Sequence, residues 1–502
     1  MDALSKIKPI KKGRIGIYTV GLKSYWPQFK GLRDRVIGYG EFVSERMKKF
    51  GEIFNFGLVD DDEKARHAGE WFNEKNVDII FCHMGSYCTS ACATPIHKTC
   101  KVPVIILDLQ PTACMNYEKT STGEWLAHCG SCSTPEYANA FTRSGINFKI
   151  INGLLGMDKT PSISVTDENT ADREEAKRAW KEIAEWVEAA TVKRTLKNAR
   201  FGYLGNYYPE MLDMYSDFTL FQAKTGVHIV LLEMCDLKSY FDKVTEKEVK
   251  IKREQISHFF IIAGDSPSEP IAKKPNEEQL NWSARVAVAQ EKMVKDFDLD
   301  ALAYFYKGAD NNEYERIQGG FIVGHSLLTA AGIPCSGEGD IKTALSMKIC
   351  DIVDKGGSFA EFAAVDYVLG TVIMGHDGPF HIKISDGKPV LRAMGLYHGK
   401  RSTGVSVEAN VVVGDITTLW TTQTVNGKLK FIVTEGKAIK GPKLMIGNTQ
   451  THIDFGMRPD YYMDRLFNEA PAHHCAISVG QNSEIFKKIA YLLDIDCVVI
   501  KP

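Results

Sequence analysis

Apolar positions in the first third of the chain fall into short, β-branched runs. Residues 14–22, 51–59, 77–83 and 102–107 are strand-sized, and the segments 33–50 and 61–75 between them space their apolar residues helically, with charged opposite faces. Strands separated by helix-length segments predict βαβ units and a parallel sheet. The polar stretch 162–169 reads as a linker into a long charged helix over 172–197. The middle third repeats the pattern, with strands at 199–204, 227–233 and 301–306 and helices at 209–224, 245–260 and 276–297. After about residue 364 the pattern changes. Residues 379–384, 389–396, 405–413, 416–424 and 429–435 alternate or run β-branched, with Asp386-Gly387 and Asn426-Gly427 as turn signals. That predicts an antiparallel barrel or sandwich, closed by helices at 459–468 and 482–493 and a strand at 496–500. The expected fold is α/β: two doubly wound parallel-sheet domains (1–170 and 171–355) and a C-terminal β-rich, antiparallel, barrel-like domain (356–502).

Composition narrows the function classes. The chain has 502 residues, 61 Lys plus Arg and 63 Asp plus Glu, a formal charge of −2. That balance excludes a chain built as a basic nucleic-acid binder or an acidic tail. The longest apolar runs, such as 227–232, fall far short of the ~20 residues that span a bilayer. Lys6, Lys8, Lys11, Lys12 and Arg14 precede the apolar stretch 15–22, the outline of a signal peptide. Two glycines, an immediate Lys23 and the lack of a small-residue cleavage site favour a first strand. Twelve cysteines are sparse for a secreted scaffold, and Cys82, Cys235 and Cys497 sit in apolar stretches that read as strands. Buried free thiols in a cytoplasmic protein are expected.

Four short segments carry candidate chemistry. In Gly337-Glu338-Gly339-Asp340 a carboxylate stands on a glycine-flanked turn, and Asp340 is a good N-cap for the helix that follows. Glu338 could equally do no more than complement the helix dipole. Glu361, in Ser358-Phe359-Ala360-Glu361, is a second acid on a glycine-led segment, and by itself reads as a first-turn helix carboxylate. His376 follows an apolar run, with glycines close on both sides. His473 and His474 start a possible strand, where adjacent residues must face opposite ways, so one could be a ligand and the other merely solvated or packed. Two carboxylates with one or two imidazoles suit a divalent cation such as Mn²⁺, Mg²⁺ or Co²⁺, whereas structural zinc favours thiolates at close spacing. His128 lies on an expected loop and reads as a solvated residue or a substrate contact. Cys129-Gly130-Ser131-Cys132 lacks a second pair at zinc spacing, and no glycine-rich nucleotide fingerprint or P-loop is present.

In order along the chain, Gly337-Glu338-Gly339-Asp340 with Lys342-Thr343-Ala344, Ser358-Phe359-Ala360-Glu361, Gly375-His376 and Ala472-His473-His474 resemble the motifs of L-arabinose isomerase and, more broadly, of the L-arabinose/L-fucose isomerase superfamily. Ala309-Asp310-Asn311-Asn312-Glu313 and Arg200-Phe201-Gly202 are also similar to family segments. The resemblance implies a three-domain, Mn²⁺-assisted aldose–ketose isomerase, a homo-oligomer of three or six subunits. It implies Glu338, Glu361, His376 and His474 as metal ligands, with His473 able to exchange roles with His474. It also implies that His128 contacts sugar in a neighbouring subunit's site. Ile341 stands where the family has an aromatic residue, and 20–25 lacks its glutamine-bearing loop, which leaves the sugar open.

On this reading Glu338 and Glu361 serve as the acid/base pair that moves a proton between C2 and C1 through a cis-enediol. A sugar-binding or sensor protein without catalysis is the opposing expectation, since two tandem α/β domains can close around a ligand. A metal-dependent aldolase is a third.

Overall fold

The first strand, β1 (Arg14–Val20), is buried at every position but its first. A strand apolar on both faces needs cover on both, which a parallel sheet flanked by crossover helices provides. β1 pairs in parallel with β2 (Glu52–Val59) and β3 (Ile79–Met84), and β4 (Val104–Gln110) and β5 (Phe148–Leu154) complete the order β2-β1-β3-β4-β5. The computed structural model describes residues 4–161, 169–394 and 404–502. The linker expected at 162–169 falls, but for Asn169, outside the described residues. The long helix Glu174–Leu196 belongs with the first sheet: Arg194 Nε donates to Asp78 at 2.8 Å and Trp180 Nε1 to the Leu155 carbonyl at 2.8 Å. Residues 11–195 form one compact unit, and 1–10 with 196–502 form the other.

In the second unit β6 (Arg200–Gly205) pairs in parallel with β7 (His228–Leu232) and with a later strand, β10 (Ala301–Phe305), which pairs with β11 (Cys335–Ser336). Two dipeptide strands, β8 (Ile261–Ile262) and β9 (Ala272–Lys273), join a small sheet with β14 (Val390–Met394) and β15 (Gly404–Glu408). The remaining strands are β12 (Gly356–Asp366), β13 (Thr371–Gly375), β16 (Gly414–Gln423), β17 (Leu429–Ile439), β18 (Thr451–Asp454), β19 (His474–Val479) and β20 (Asp496–Ile500). Antiparallel pairing in the order β16-β19-β12-β13-β18-β17, with β17 returning to β16, closes a six-stranded barrel, and β20 adds to β17 in parallel. Closure removes the exposed edges of an open sheet. Among the described residues no helix is long and apolar enough to cross a membrane.

Several expectations are corrected. Residues 379–384 form no strand; they end in a 3-10 turn, Ile382–Ile384, because the Phe380 and His381 amides donate to the Ser326 and Ser358 hydroxyls rather than to a neighbouring strand. The expected strand 405–413 ends at Glu408, and residues 395–396 of the one before it lie outside the described residues. Glu361 lies in strand β12, not in a helix turn. Cys235 is exposed on the helix Met234–Phe241. Cys82, Cys88 and Cys100 are buried free thiols, as expected.

Among the buried histidines, His83 and His97 belong to the unit 11–195 and His325 and His381 to the other. Burial pushes His97 and His325 down to about 3, and His83 and His381 to about 4. Tyr18 Oη lies 2.9 Å from His97 Nε2. The unfolded chain takes up these protons near the ordinary histidine value and the folded chain resists them. The stability these four groups contribute is therefore intact above about pH 6.5 and falls as the pH drops toward 4, by up to roughly 1.4 kcal/mol per pH unit for each histidine. Urea midpoints measured between pH 6.5 and 4.5 should show this decline, and His97→Gln should make it shallower.

Candidate metal centre

Glu338 sits at φ 59° and Gly339 at 73°, two successive residues in the left-handed region. For a non-glycine residue that conformation costs about 1–2 kcal/mol, and such strain concentrates at functional sites. Here the neighbours enforce it. The Glu338 carbonyl accepts the Tyr208 amide at 2.9 Å, and the Gly339 amide donates to the Tyr304 carbonyl at 3.0 Å. A Cβ on Gly339 would stand 2.5 Å from the Asn206 carbonyl oxygen, so only glycine passes. The turn lies just past β11, beside the C-terminal ends of β6 and β10, the edge of a parallel sheet where ligand sites form.

Asp340 then caps the helix Ile341–Ile352, accepting the Lys342 and Thr343 amides at 3.1 Å each and the Thr343 hydroxyl at 2.8 Å. The helix is buried along its whole length. It packs on one face of β12, β16 and β19. On that face the ladders set Phe359 opposite Ala476, Leu419 opposite Ala476, and Glu361 opposite His474. The Ser346 and Thr421 hydroxyls, 2.7 Å apart, mark the contact. The helix N-terminus therefore meets the barrel where His474 emerges, and His474 Nδ1 lies 3.0 Å from Asp340 Oδ2.

Barrel register supplies the other groups. Glu361 on β12 pairs with His474 on one side and Gly375 on the other. Gly375 is obligatory, since a Cβ there would fall 1.8 Å from the Thr449 carbonyl oxygen. His376 follows directly. Its amide donates to Thr449 Oγ1 at 2.8 Å, and its carbonyl accepts the Thr449 amide at 2.9 Å. The Phe359 ring packs against both imidazoles, with centroids 4.6 Å from His376 and 4.5 Å from His474.

All four expected ligands come together. His376 Nε2 lies 3.8 Å from Glu338 Oε1 and 3.9 Å from Glu361 Oε2, and His474 Nε2 lies 3.4 Å from Glu338 Oε2. One ligand atom each from Glu338, His376 and His474, and likewise from Glu361, His473 and His474, falls within 4.8 Å of the others. His474 is fully buried, and its Nε2 has no well-aligned hydrogen bond. The donors thus fit a divalent cation: borderline imidazole nitrogens, hard carboxylate oxygens, and a histidine oriented by a carboxylate behind it.

The doublet departs from strict alternation because β19 begins only at His474. His473 stands before the strand, its amide held by Asp213 Oδ2 at 2.8 Å, and its Nε2 reaches Glu361 Oε2 at 2.7 Å. Both rings therefore converge on the carboxylates. His473 is 45% exposed and Glu361 29%, so this side opens to solvent. His128 belongs to the first unit, between the helices Thr122–Leu126 and Gly130–Arg143. It is buried rather than solvated: Nδ1 donates to the Glu124 carbonyl at 2.9 Å, and Nε2 lies 2.8 Å from Thr112 Oγ1.

Charge is concentrated here. Burial would push the His474 imidazole down, but Asp340 and Glu338 overturn that and raise it to about 9. Burial would likewise raise the Asp340 and Glu361 carboxyls. Lys342 and His474 hold Asp340 below its usual range, and His473 with the other imidazoles holds Glu361 below.

Asp340 was legible as a cap but not as the partner of His474. Phe359 lay inside a motif; Thr449 and Asp213 carried no signal.

No family model matches the chain, and no curated protein matches it. Similar solved structures include a two-component system response regulator/GGDEF domain protein (10% identity, 68% of this chain and 98% of that one, TM-score 0.21). Others are an ABC transporter solute-binding protein from Agrobacterium vitis with bound D-fucose (9%, 64% and 88%, TM-score 0.15) and the UDP-GlcNAc 2-epimerase of Methanocaldococcus jannaschii (9%, 64% and 83%, TM-score 0.13). At such TM-scores these likenesses carry no argument.

Asp340→Asn keeps a good N-cap but removes the charge that orients His474. It should weaken Mn²⁺ binding roughly 10- to 100-fold, measured by calorimetric titration, with the helical circular dichroism retained.

Proposed function

We propose that the chain is a divalent-metal-dependent aldose–ketose isomerase working through a cis-enediol. The observation behind this reading is the meeting of Glu338, Glu361, His376 and His474 beside a solvent-open edge, with Asp340 behind one imidazole. Among the described residues no cysteine joins either donor group, which favours Mn²⁺, with Mg²⁺ or Co²⁺ as alternatives. When bound, the ion supplies charge stabilisation to neighbouring sugar oxygens.

The side chains then divide the remaining work. Glu338, fixed by its turn and buried, holds position. Glu361 is the more exposed carboxylate and faces the side from which a sugar can approach, so it is placed to take a proton from C2 and return it to C1. Glu338 completes the acid/base pair at the sugar oxygens. His473 donates to Glu361 and fixes the direction of its oxygen. A homo-oligomer of three or six subunits is proposed on the resemblance, as is a cytoplasmic location; His128, with both ring nitrogens engaged in its own unit, is not assigned the sugar contact the resemblance implies.

Glu338→Gln and Glu361→Gln should each lower interconversion in an aldose/ketose panel assayed with Mn²⁺ by ~10² or more, with urea midpoints near wild type. Chelator should abolish activity and Mn²⁺ restore it. Sugar binding without turnover under every condition would support the sensor reading instead, and two shorter products would mark an aldolase.

A further inference from the structure

One contact network touches both members of the histidine doublet and takes no part in the chemistry above. The loop 206–217 leaves β6 and carries the short turn Leu212–Met214. Asp213, on that turn, uses two different groups. Its carboxylate accepts the His473 amide at 2.8 Å, and its backbone carbonyl accepts Lys342 Nζ at 2.7 Å. Lys342 also donates to the Met214 carbonyl and the Ser216 hydroxyl, each at 3.2 Å. An ammonium has three donors and no acceptor, and here all three are used.

Lys342 is the second residue of the capped helix, and its side chain is 1% exposed. Its ammonium stands 3.7 Å from Asp340 Oδ1, whose other oxygen faces His474 Nδ1 at 3.0 Å. Burying a lone ammonium is costly without acceptors and a counter-charge, and the loop and Asp340 provide both. The two histidines are thus tethered by different means, His473 through its backbone and His474 through its ring. Both tethers lead to the same ammonium.

His473 precedes β19, so no ladder bond fixes its amide; the Asp213 carboxylate does. Without that bond the chain can enter the strand at another angle, and the ring that reaches Glu361 moves with it. We propose that Asp213 and Lys342 form a strut that positions the His473–His474 doublet and so sets the affinity of the site for a divalent cation, an inference that rests on the metal-centre reading. Neither residue belongs to a donor group, so both are positioning residues.

Asp213 is exposed, so replacing it leaves the core untouched. The test uses the full chain and Mn²⁺ alone, followed by calorimetry and by the electron paramagnetic resonance of bound Mn²⁺. Asp213→Ala should weaken Mn²⁺ binding ~10-fold or more and alter the resonance, with the metal-free melting temperature unchanged. Asp213→Asn keeps an acceptor oxygen and should restore both. Lys342→Met should weaken binding at least as much, and if it fails to fold the aspartate pair still decides. Wild-type affinity in Asp213→Ala, or equal weakening in Asp213→Asn, overturns the strut alone. A wild-type chain that takes up no Mn²⁺ overturns the metal-centre reading and the strut with it.

Discussion

A single buried carboxylate organises the second unit. Asp340 caps a helix through two amides and a hydroxyl, orients the ring of His474 and balances the ammonium of Lys342. A buried charge survives only with such partners, and removing one leaves the others uncompensated. The helix start, the histidine and the loop that carries Asp213 are therefore placed as a set. Local capping and the long-range geometry of the site become one interaction.

Around that carboxylate the barrel acts as an assembly jig. Because β12 lies between β13 and β19, one register brings Glu361, Gly375 and His474 to the same level. A slip of one residue would turn Glu361 to the opposite face. Closure of the barrel limits such slips, since each strand is paired on both sides. Glycine is required at Gly339 and Gly375 for a related reason: backbone from another segment comes so near that no side chain fits. Precision at the donor atoms thus rests on rigid elements, and the solvent-open side is confined to Glu361 and His473, where a substrate needs access.

Much of the α/β portion was legible because its signals are local. The alternation of β-branched runs and helical spacing marked the strands of the parallel sheets, and the helices expected at 245–260 and 276–297 appear as Glu246–Phe259 and Glu277–Asp296. Errors arose where side chains from elsewhere competed with pattern. Residues 379–384 look like a strand, yet hydroxyls of Ser326 and Ser358 take their amides. Glu361 looks like a helix-start acid, but its segment pairs with two other strands. His128 looks like a solvated residue, yet both its ring nitrogens find partners inside its own unit.

By itself the sequence determined which donor types exist and which turns can hold them: a glutamate between glycines, an aspartate ahead of a helix, a histidine beside a glycine that admits close backbone. Those are matters of spacing and backbone freedom within a few residues. Tertiary structure alone decided that the donors meet, that His474 rather than His473 is the buried imidazole, and that Asp213 and Thr449 support them. Strand register and helix packing set those relations across long stretches of chain, and no local pattern encodes a distance between residues that only a ladder brings together.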